Sequence, residues 1–362
     1  MHDASSSHSA SFRLATVDDH HLQAYDNTKL VAMNTCPTYG LLRYGLHKTT
    51  ERQSRALALE CGKAMHDVFA WVRLVGLLNR DDPCAMEKYA FHGARLFGAD
   101  RFREVTTNAS SLDKIDLAKR GAIAVLDTSG YYDDPRDRRR TLANMEECAL
   151  AYIDRWRWDR PVWQRDPADP HTDVGIEIPF ELVISIEGMD LMQIRFVGRI
   201  DGIHQHVDGL TLHDNKTASR LNDAWEMSWN ISHQLTGYSL AASVFTQQVV
   251  ERAHVLGLAV PLPKSYDYGG FIQSGYLRQT HHYERWVSWL VHTVKLYQQY
   301  HDDPFSAPRY SHSCNRYFRP CQFIPFCDAD VEEEHAMIDE MLTDVWSPLN
   351  VASGETTNQL ED

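Results

Sequence analysis

The chain has 362 residues, of which 43% are hydrophobic, and it carries a formal net charge of -14. This size allows a sizeable buried core, and no run approaches the roughly 18 to 20 consecutive apolar residues of a membrane span. Residues 1–12 are polar and lack an apolar signal core, so we expect a soluble, cytoplasmic protein without a membrane partner.

The first predicted element with candidate chemistry is a long helix. We expect residues 1–27 to form a flexible N-terminal segment. Apolar residues then recur at helical spacing from Leu57 to Val75. Gly62 and His66 lie one turn apart on this helix and share a face. The glycine would allow close approach, and the imidazole is a candidate metal ligand. A buried histidine with a packing role is the alternative.

A helical insertion is predicted over residues 81–170, from helix-like segments at about 83–98 and 142–158. The insertion contains a basic run at 136–140. Near its end, cationic and aromatic side chains alternate, in Arg155, Trp156, Arg157 and Trp158. Phosphate neutralisation combined with base stacking is typical of sequence-independent binding to single strands. The alternative is that the tryptophans belong to the core and the arginines form ion pairs with neighbouring aspartates.

Two strands that carry acids follow the insertion. Strict alternation predicts a strand that ends at Asp201, and a second strand in which Asp214 and Lys216 share a face. Asp208-Gly209 is a strong signal for a two-residue hairpin turn. With those two residues as the turn, Asp201 lies opposite Lys216, and Asp214 is its diagonal neighbour within roughly 7–8 Å.

This arrangement of two carboxylates and a lysine indicates a chemistry. Two converging carboxylates can share a hard divalent cation such as Mg2+ or Mn2+, which relieves their mutual repulsion. Lys216 would then orient the attacking water or stabilise charge on a phosphate. The pattern predicts metal-dependent phosphodiester hydrolysis. An exposed hairpin with a solvated acid and lysine is the alternative.

Further elements surround these strands. Glu177 lies in an apolar strand at residues 174–180, where an ordinary edge-strand glutamate is one interpretation. Gln234 and Tyr238 are one turn apart on a helix predicted from about 228 to 250. The remaining predicted elements are strands at 253–260 and 269–276 and a helix at 283–300.

The seven cysteines form a pattern of their own. Cys314, Cys321 and Cys327 are close in sequence, and Cys36 precedes them by almost the whole chain. Four thiolates are the complement of one iron–sulfur cluster, although zinc also accepts four thiolates. Disulfides are a further alternative, but the odd number of cysteines favours a reducing compartment.

In order and spacing, these residues resemble the PD-(D/E)XK nuclease superfamily, specifically its RecB-like exonucleases, which include the nuclease domains of RecB and AddB and the CRISPR-associated exonucleases. The matching residues are Gly62, His66, Gly198, Asp201, Asp214, Lys216, Gln234 and Tyr238, with Glu177 where the family often has another acid. The resemblance implies a restriction-endonuclease-like α/β fold, in which a mixed central sheet is flanked by helices.

The resemblance also implies site residues, cofactors and partners. His66, Asp201 and Asp214 would bind Mg2+ or Mn2+, while Glu177, Lys216, Gln234 and Tyr238 would complete the catalytic site. A subset of the family, including AddB, has one cysteine before the histidine helix and three near the C-terminus, which implies a 4Fe-4S cluster here. The substrate would be DNA, either single-stranded or at opened ends. The protein would act alone or with a helicase, recombination or CRISPR-adaptation protein. A catalytically silent DNA-binding scaffold is the alternative.

The expected domain order follows from these elements. After the flexible segment come the first part of the nuclease fold at 28–80, the insertion at 81–170 and the nuclease core at 171–302. An iron–sulfur region at 303–330 precedes an acidic helix and tail at 331–362. Residues 328–362 hold eleven acidic and no basic residues, so they account for most of the net charge. We expect this tail to be solvated, and competition with DNA for a basic channel is the alternative.

Overall fold

A computed structural model describes residues 10–50, 57–78, 81–108, 113–155, 162–187, 192–260, 270–316, 319–345 and 349. The strands are β1 Ala10–Leu14, β2 Ala24–Tyr25, β3 Lys48–Thr49, β4 Ile176–Ile186, β5 Met192–His206, β6 Gly209–Ala218, β7 Arg252–Ala259, β8 Phe271–Leu277, β9 Asn315–Arg316, β10 Arg319–Pro320 and β11 Leu342–Thr343. The α-helices are α1 Asn27–Thr35, α2 Pro37–Gly40, α3 Leu57–Gly76, α4 Ala85–Phe97, α5 Ala99–Asn108, α6 Lys114–Asp127, α7 Leu142–Arg155, α8 Asp223–Met227, α9 His233–Thr246, α10 Thr280–His301, α11 Ile324–Asp328 and α12 Val331–Glu340.

The central sheet is mixed. Its strands have the order β1-β4-β5-β6-β7-β8, and β2 pairs with β5. The β5–β6 and β7–β8 pairs are antiparallel, whereas β6 and β7 run parallel. The parallel pair requires a crossover, which α8 and α9 provide between these two strands. The predicted α/β class with a mixed central sheet is therefore confirmed.

The chain divides into two compact units, each made of separate stretches of sequence. Unit 1 contains the described residues within 1–55, 180–198 and 280–350, and unit 2 contains those within 56–179 and 199–279. Strands β4 and β5 each contribute residues to both units.

Unit 2 has the larger apolar core. Trp71 of α3 is fully buried and lies against Gly121 of α6, where an added Cβ would be 2.0 Å from the indole ring. The two helices can therefore approach closely only because residue 121 has no side chain. Buried residues of α4, α6 and α7 belong to the same core as those of α3. The helices of the predicted insertion thus share a core with the histidine helix.

Unit 1 joins early and late parts of the chain. Strand β3 pairs with β11, and Arg43 forms an ion pair with Asp344 at 2.5 Å. A small apolar cluster holds Leu42, Phe323 and Phe326, with Cys321 and Cys327 packed against it.

The N-terminal segment differs from the prediction. Within 1–27, expected to be flexible, residues 10–14 form β1, which pairs antiparallel with β4 from Leu14↔Leu182 to Ala10↔Ile186. The expectation of a poorly ordered end is wrong for this stretch, because the backbone groups of β1 are paired in the sheet. Residues 1–9 lie outside the described part of the chain.

The β5–β6 hairpin also differs from the prediction, in its register. His206 pairs with Gly209 and Gly202 with His213, so the turn is Val207-Asp208 and not Asp208-Gly209. Neither turn residue has a positive φ, whereas Gly209 does, at 122°. The glycine therefore uses its conformational freedom after the turn and not within it. Continued by one pair, this register places Asp201 opposite Asp214 and not opposite Lys216.

Candidate active site

Three potential metal ligands converge in unit 2. His66 of α3, Glu177 of β4 and Asp201 of β5 each offer a ligand atom, and these atoms all lie within 4.8 Å of one another. The His66 Nδ1 atom lies 3.5 Å from Asp201 Oδ1. A histidine nitrogen with carboxylate oxygens is a donor set that suits divalent cations such as Mn2+.

Glu177 has an unusual environment for a carboxylate. Its backbone φ is 46°, a left-handed value at the start of β4. Its Oε1 atom is buried and has no hydrogen-bond partner among the described residues. Burial and the charge of Asp201 raise the pKa of Glu177 well above its usual value. A bound cation would give the Oε1 atom a partner and would offset the repulsion between Glu177 and Asp201. The residues present therefore fit a metal ion.

Asp201 and Asp214 lie side by side but have different partners. Asp201 Oδ2 accepts the backbone N–H of Asn215 at 2.7 Å. Asp214 is almost fully buried and ion-paired with Lys216, whose Nζ lies 2.9 Å from Oδ1 and 2.8 Å from Oδ2. Asp214 is therefore not in the group of three ligands, although it was expected to bind metal together with His66 and Asp201.

Lys216 is held as a cation. Burial lowers the pKa of Lys216, but the carboxylates of Asp214 and Asp201 raise it further, so the net change is upward. Lys216 therefore stays protonated near neutral pH. This state suits a residue that orients water or stabilises negative charge, and it does not suit a proton acceptor.

Gln234 and Tyr238 lie where the helical spacing predicts, on α9. The Gln234 side-chain amide donates to Asp214 Oδ1 at 3.3 Å. Burial lowers the pKa of Arg199, and Tyr238 lies close enough to oppose that shift together with the nearby carboxylates. Helix α9 is shorter than predicted because Ser232 caps its start and Gln247, with φ of 56°, ends it.

The proposed close approach at Gly62 is not observed. An added Cβ there would meet only Thr217 Oγ1, at an ordinary contact distance of 3.5 Å. Gly202 is a tight glycine in this region, since its added Cβ would lie 2.7 Å from Arg73 Nε.

Two residues that the sequence analysis missed support Asp201. Arg73 is buried, and its guanidinium donates to the side-chain oxygen of Asn215 and, at 3.4 Å, to His204 Nε2. Asn215 in turn donates its backbone N–H to Asp201. The available signal was a charged residue two turns after His66 on an otherwise apolar helix face.

The basic segments have other partners. Arg136 pairs with Asp134 at 2.6 Å and Arg140 with Asp137 at 2.7 Å. These ion pairs favour a structural interpretation of the run at 136–140. Arg155 ends α7 with its guanidinium 5.9 Å from the Phe271 ring centroid. Trp156, Arg157 and Trp158 lie outside the described residues.

The four cysteines of the predicted cluster all belong to unit 1. Cys314 and Cys321 flank the β9–β10 hairpin, and Cys321 donates its backbone N–H to Cys314 O at 2.7 Å. Burial raises the pKa of Cys327 to about 11, with further increases from Cys36, Cys321 and Cys314. All seven cysteines have free thiols.

Comparison with known proteins adds an independent finding. The family model described as the PD-(D/E)XK nuclease superfamily matches residues 27–328. The mixed sheet flanked by helices agrees with a restriction-endonuclease-like fold. A search of curated proteins gives no significant match. Among the described residues, no helix has the length and apolar character needed to span a bilayer.

Proposed function

The chain belongs to the PD-(D/E)XK nuclease superfamily, and from this membership we propose that it is a metal-dependent DNA exonuclease of the RecB-like type. We propose single-stranded or opened DNA ends as its substrate. The observation that carries the proposal is the convergence of His66, Glu177 and Asp201 within 4.8 Å, with the Asp214–Lys216 ion pair on the adjoining strand.

Each residue has a proposed role. His66, Glu177 and Asp201 would bind the cation, and Asp214 would join them once its ion pair with Lys216 loosens. When bound, a divalent cation supplies Lewis-acid stabilisation of the phosphate and a more acidic water. Lys216, whose side chain is protonated, would orient that water or stabilise negative charge on the phosphate.

Gln234 would fix the orientation of Asp214 through its 3.3 Å hydrogen bond. Tyr238, one turn further along α9, would line the same site. We also propose that Arg155 contributes to DNA binding, because it directly precedes Trp156, Arg157 and Trp158 in the sequence.

A 4Fe-4S cluster is the second part of the proposal. Support comes from the four thiols of Cys36, Cys314, Cys321 and Cys327, which are close enough to influence one another electrostatically. Four thiolates are a complete ligand set for such a cluster. The cluster would link residue 36 to the C-terminal part of unit 1.

The nuclease proposal can be tested by digestion of end-labelled single- and double-stranded DNA. Wild-type protein should degrade labelled strands with Mg2+ or Mn2+, and Lys216→Ala should lose at least about a hundredfold in rate. Lys119→Ala is a matched control, since Lys119 pairs with Asp154 at 2.6 Å on the surface. Equal loss in both variants, or full activity of Lys216→Ala, would contradict the role of Lys216.

Two further functions of the same fold differ in their partner or activity. An end-processing subunit would trim DNA for a CRISPR-adaptation, recombination or helicase protein, and co-purification from the native source would identify it. A catalytically silent DNA-binding scaffold is disfavoured, because a complete set of candidate ligands and the lysine is present.

A further inference from the structure

The ammonium group of Lys216 has a second neighbour besides Asp214. Its Nζ atom lies 5.6 Å from the ring centroid of Trp229. A lysine at this distance from the face of an indole is attracted by the negative potential of the ring. Lys216 is therefore held between a carboxylate on its own strand and an aromatic ring on the segment that follows.

Residues 223–232 between β6 and α9, here called the tryptophan segment, are fixed by a buried arginine. Arg278 is 1% exposed, and its guanidinium donates to the carbonyl oxygens of Asn230 and Trp229, each at 3.0 Å. A guanidinium is costly to bury, and here it is used to bind the backbone at Trp229. The position of the ring is therefore set by the backbone beneath it.

A second set of contacts fixes the same segment. Trp225 meets Trp229 edge to face, with ring centroids 5.6 Å apart. The Trp225 ring lies on Gly257, where an added Cβ would be 2.5 Å from its Cη2 atom. Gly257 is the register partner of Lys216 on β7. The absence of a side chain at residue 257 thus lets Trp225 settle beside the lysine strand.

The indole N–H does not explain the placement of Trp229. Among the described residues, Trp229 Nε1 is buried and has no hydrogen-bond partner. The position of the ring is therefore set by its contacts with Trp225 and Lys216 and not by a hydrogen bond of the indole N–H.

We propose that Trp229 is a positioning residue for Lys216, a role that rests on the nuclease function proposed above. If Asp214 turned to a bound cation, its ion pair with Lys216 would weaken, and the flexible lysine would gain alternative rotamers. The indole face would then keep the ammonium group in place. Arg278, Trp225 and Gly257 act on Lys216 only through the ring they hold.

The test compares Trp229→Leu with Trp229→Phe. Loss of the ring should lower kcat about three- to tenfold, with KM unchanged, and phenylalanine should restore most of that loss. Mn2+ affinity, measured by calorimetry without DNA, should be unchanged in both variants. Trp289→Leu is the control, since Trp289 is a half-buried tryptophan of α10 in unit 1.

Gly257→Ala is an independent variant that leaves both Lys216 and Trp229 intact. The new methyl group would displace Trp225, so kcat should fall in the same direction as in Trp229→Leu. Wild-type kcat in Trp229→Leu, or a loss that phenylalanine fails to restore, would overturn this inference alone. A wild-type protein that cuts no DNA with either metal would overturn the nuclease proposal and this inference with it.

Discussion

At the scale of single residues, His66 is the proposed ligand that a helix contributes to a site otherwise built on strands. Its Nδ1 atom lies 3.5 Å from Asp201 Oδ1, a separation that a shared cation could bridge. Histidine binds Mn2+ more strongly than it binds Mg2+, which prefers oxygen ligands. The identity of the metal should therefore matter most when this ligand is removed.

We predict that His66→Ala needs at least about tenfold more metal for half-maximal activity, because one of its ligands is lost. Mn2+ should restore more activity than Mg2+. Nuclease rates over a metal titration measure the effect, and His292→Ala, an exposed histidine of α10, is the control. An unstable but fully active His66→Ala protein would show that the histidine has only a packing role.

The sequence identifies some residues of the site and misses others for a physical reason. His66, Asp201, Asp214 and Lys216 are detectable because their spacing along helices and strands sets which face they occupy. Arg73 contacts Asn215, which lies far away in the chain, and Trp229 contacts Lys216 from the segment that follows the lysine strand. No local period reports such contacts, so these residues emerge only from the folded structure.

At the scale of elements, two glycines near the site have opposite requirements. An added Cβ at Gly202 of β5 would lie 2.7 Å from Arg73 Nε, whereas at Gly62 of α3 it would meet one atom at 3.5 Å. Arg73 cannot move away easily, because its guanidinium is buried and bonded to Asn215.

We predict that Gly202→Ala lowers the free energy of unfolding by about 1–3 kcal/mol through overpacking. Gly62→Ala should instead be neutral or stabilise the protein by up to about 1 kcal/mol, because alanine favours a helix over glycine. Urea denaturation of both variants measures these changes. Equal stability of Gly202→Ala and the wild type would show that Arg73 is not fixed.

Helix α4 contains a histidine that makes stability depend on pH. Burial, followed by the charge of Arg95, lowers the pKa of His92 to about 4. The unfolded chain, with a histidine pKa of about 6.5, binds more protons between these two values. The stability that neutral His92 contributes is therefore fully present above pH 6.5 and is lost as the pH falls toward 4.

We predict that His92→Gln removes this component of acid sensitivity. The difference in unfolding free energy between wild type and variant should change by about 3 kcal/mol between pH 7 and pH 4. Chemical denaturation at several pH values measures it, and the subtraction cancels the carboxylates that titrate in both proteins. A difference that stays constant with pH would mean that His92 is protonated normally in the folded protein.

The β5–β6 hairpin shows which features of paired strands the sequence predicts and which it does not. Alternation identified both strands and the faces of Asp201 and Asp214. The register was shifted by two because the glycine signal does not say whether the positive φ lies within the turn or after it. That shift placed Lys216 opposite Asp201 in the prediction, whereas Asp214 holds that place.

At the scale of the whole molecule, the two units could not be read from the chain order. Each unit combines separate stretches, and β4 and β5 pass from one into the other. Linear boundaries such as 28–80 or 171–302 assume contiguous domains. Loop-closing contacts such as β3–β11 leave no periodic signal in the sequence.

We predict that anaerobically purified protein is brown and contains about four irons and four sulfides per chain. Cys36→Ala should lose them as completely as Cys327→Ala, because both supply ligands to one cluster. Cys84→Ala is the matched control, since Cys84 lies before α4 in unit 2. Iron and sulfide analysis gives the result, and stoichiometric zinc without iron would replace the cluster with a zinc site.

Loss of the cluster should also reduce thermal stability without unfolding unit 1 completely. The cluster would close a loop of almost the whole chain, which constrains the unfolded state. The β3–β11 pairing and the Arg43–Asp344 ion pair connect the same parts of the chain independently of it.

We propose that Asp201 and its neighbours hold a divalent cation with which the protein cuts DNA. The most direct measurement is cleavage of end-labelled DNA by wild type and Asp201→Asn across a Mn2+ titration, with an EDTA arm. Asparagine keeps the shape of the side chain but removes the charge, so folding should be preserved. We predict metal-dependent cleavage by the wild type, none in EDTA, and a loss of at least about a hundredfold in Asp201→Asn. Cleavage that persists in EDTA, or wild-type rates in folded Asp201→Asn, would contradict the account.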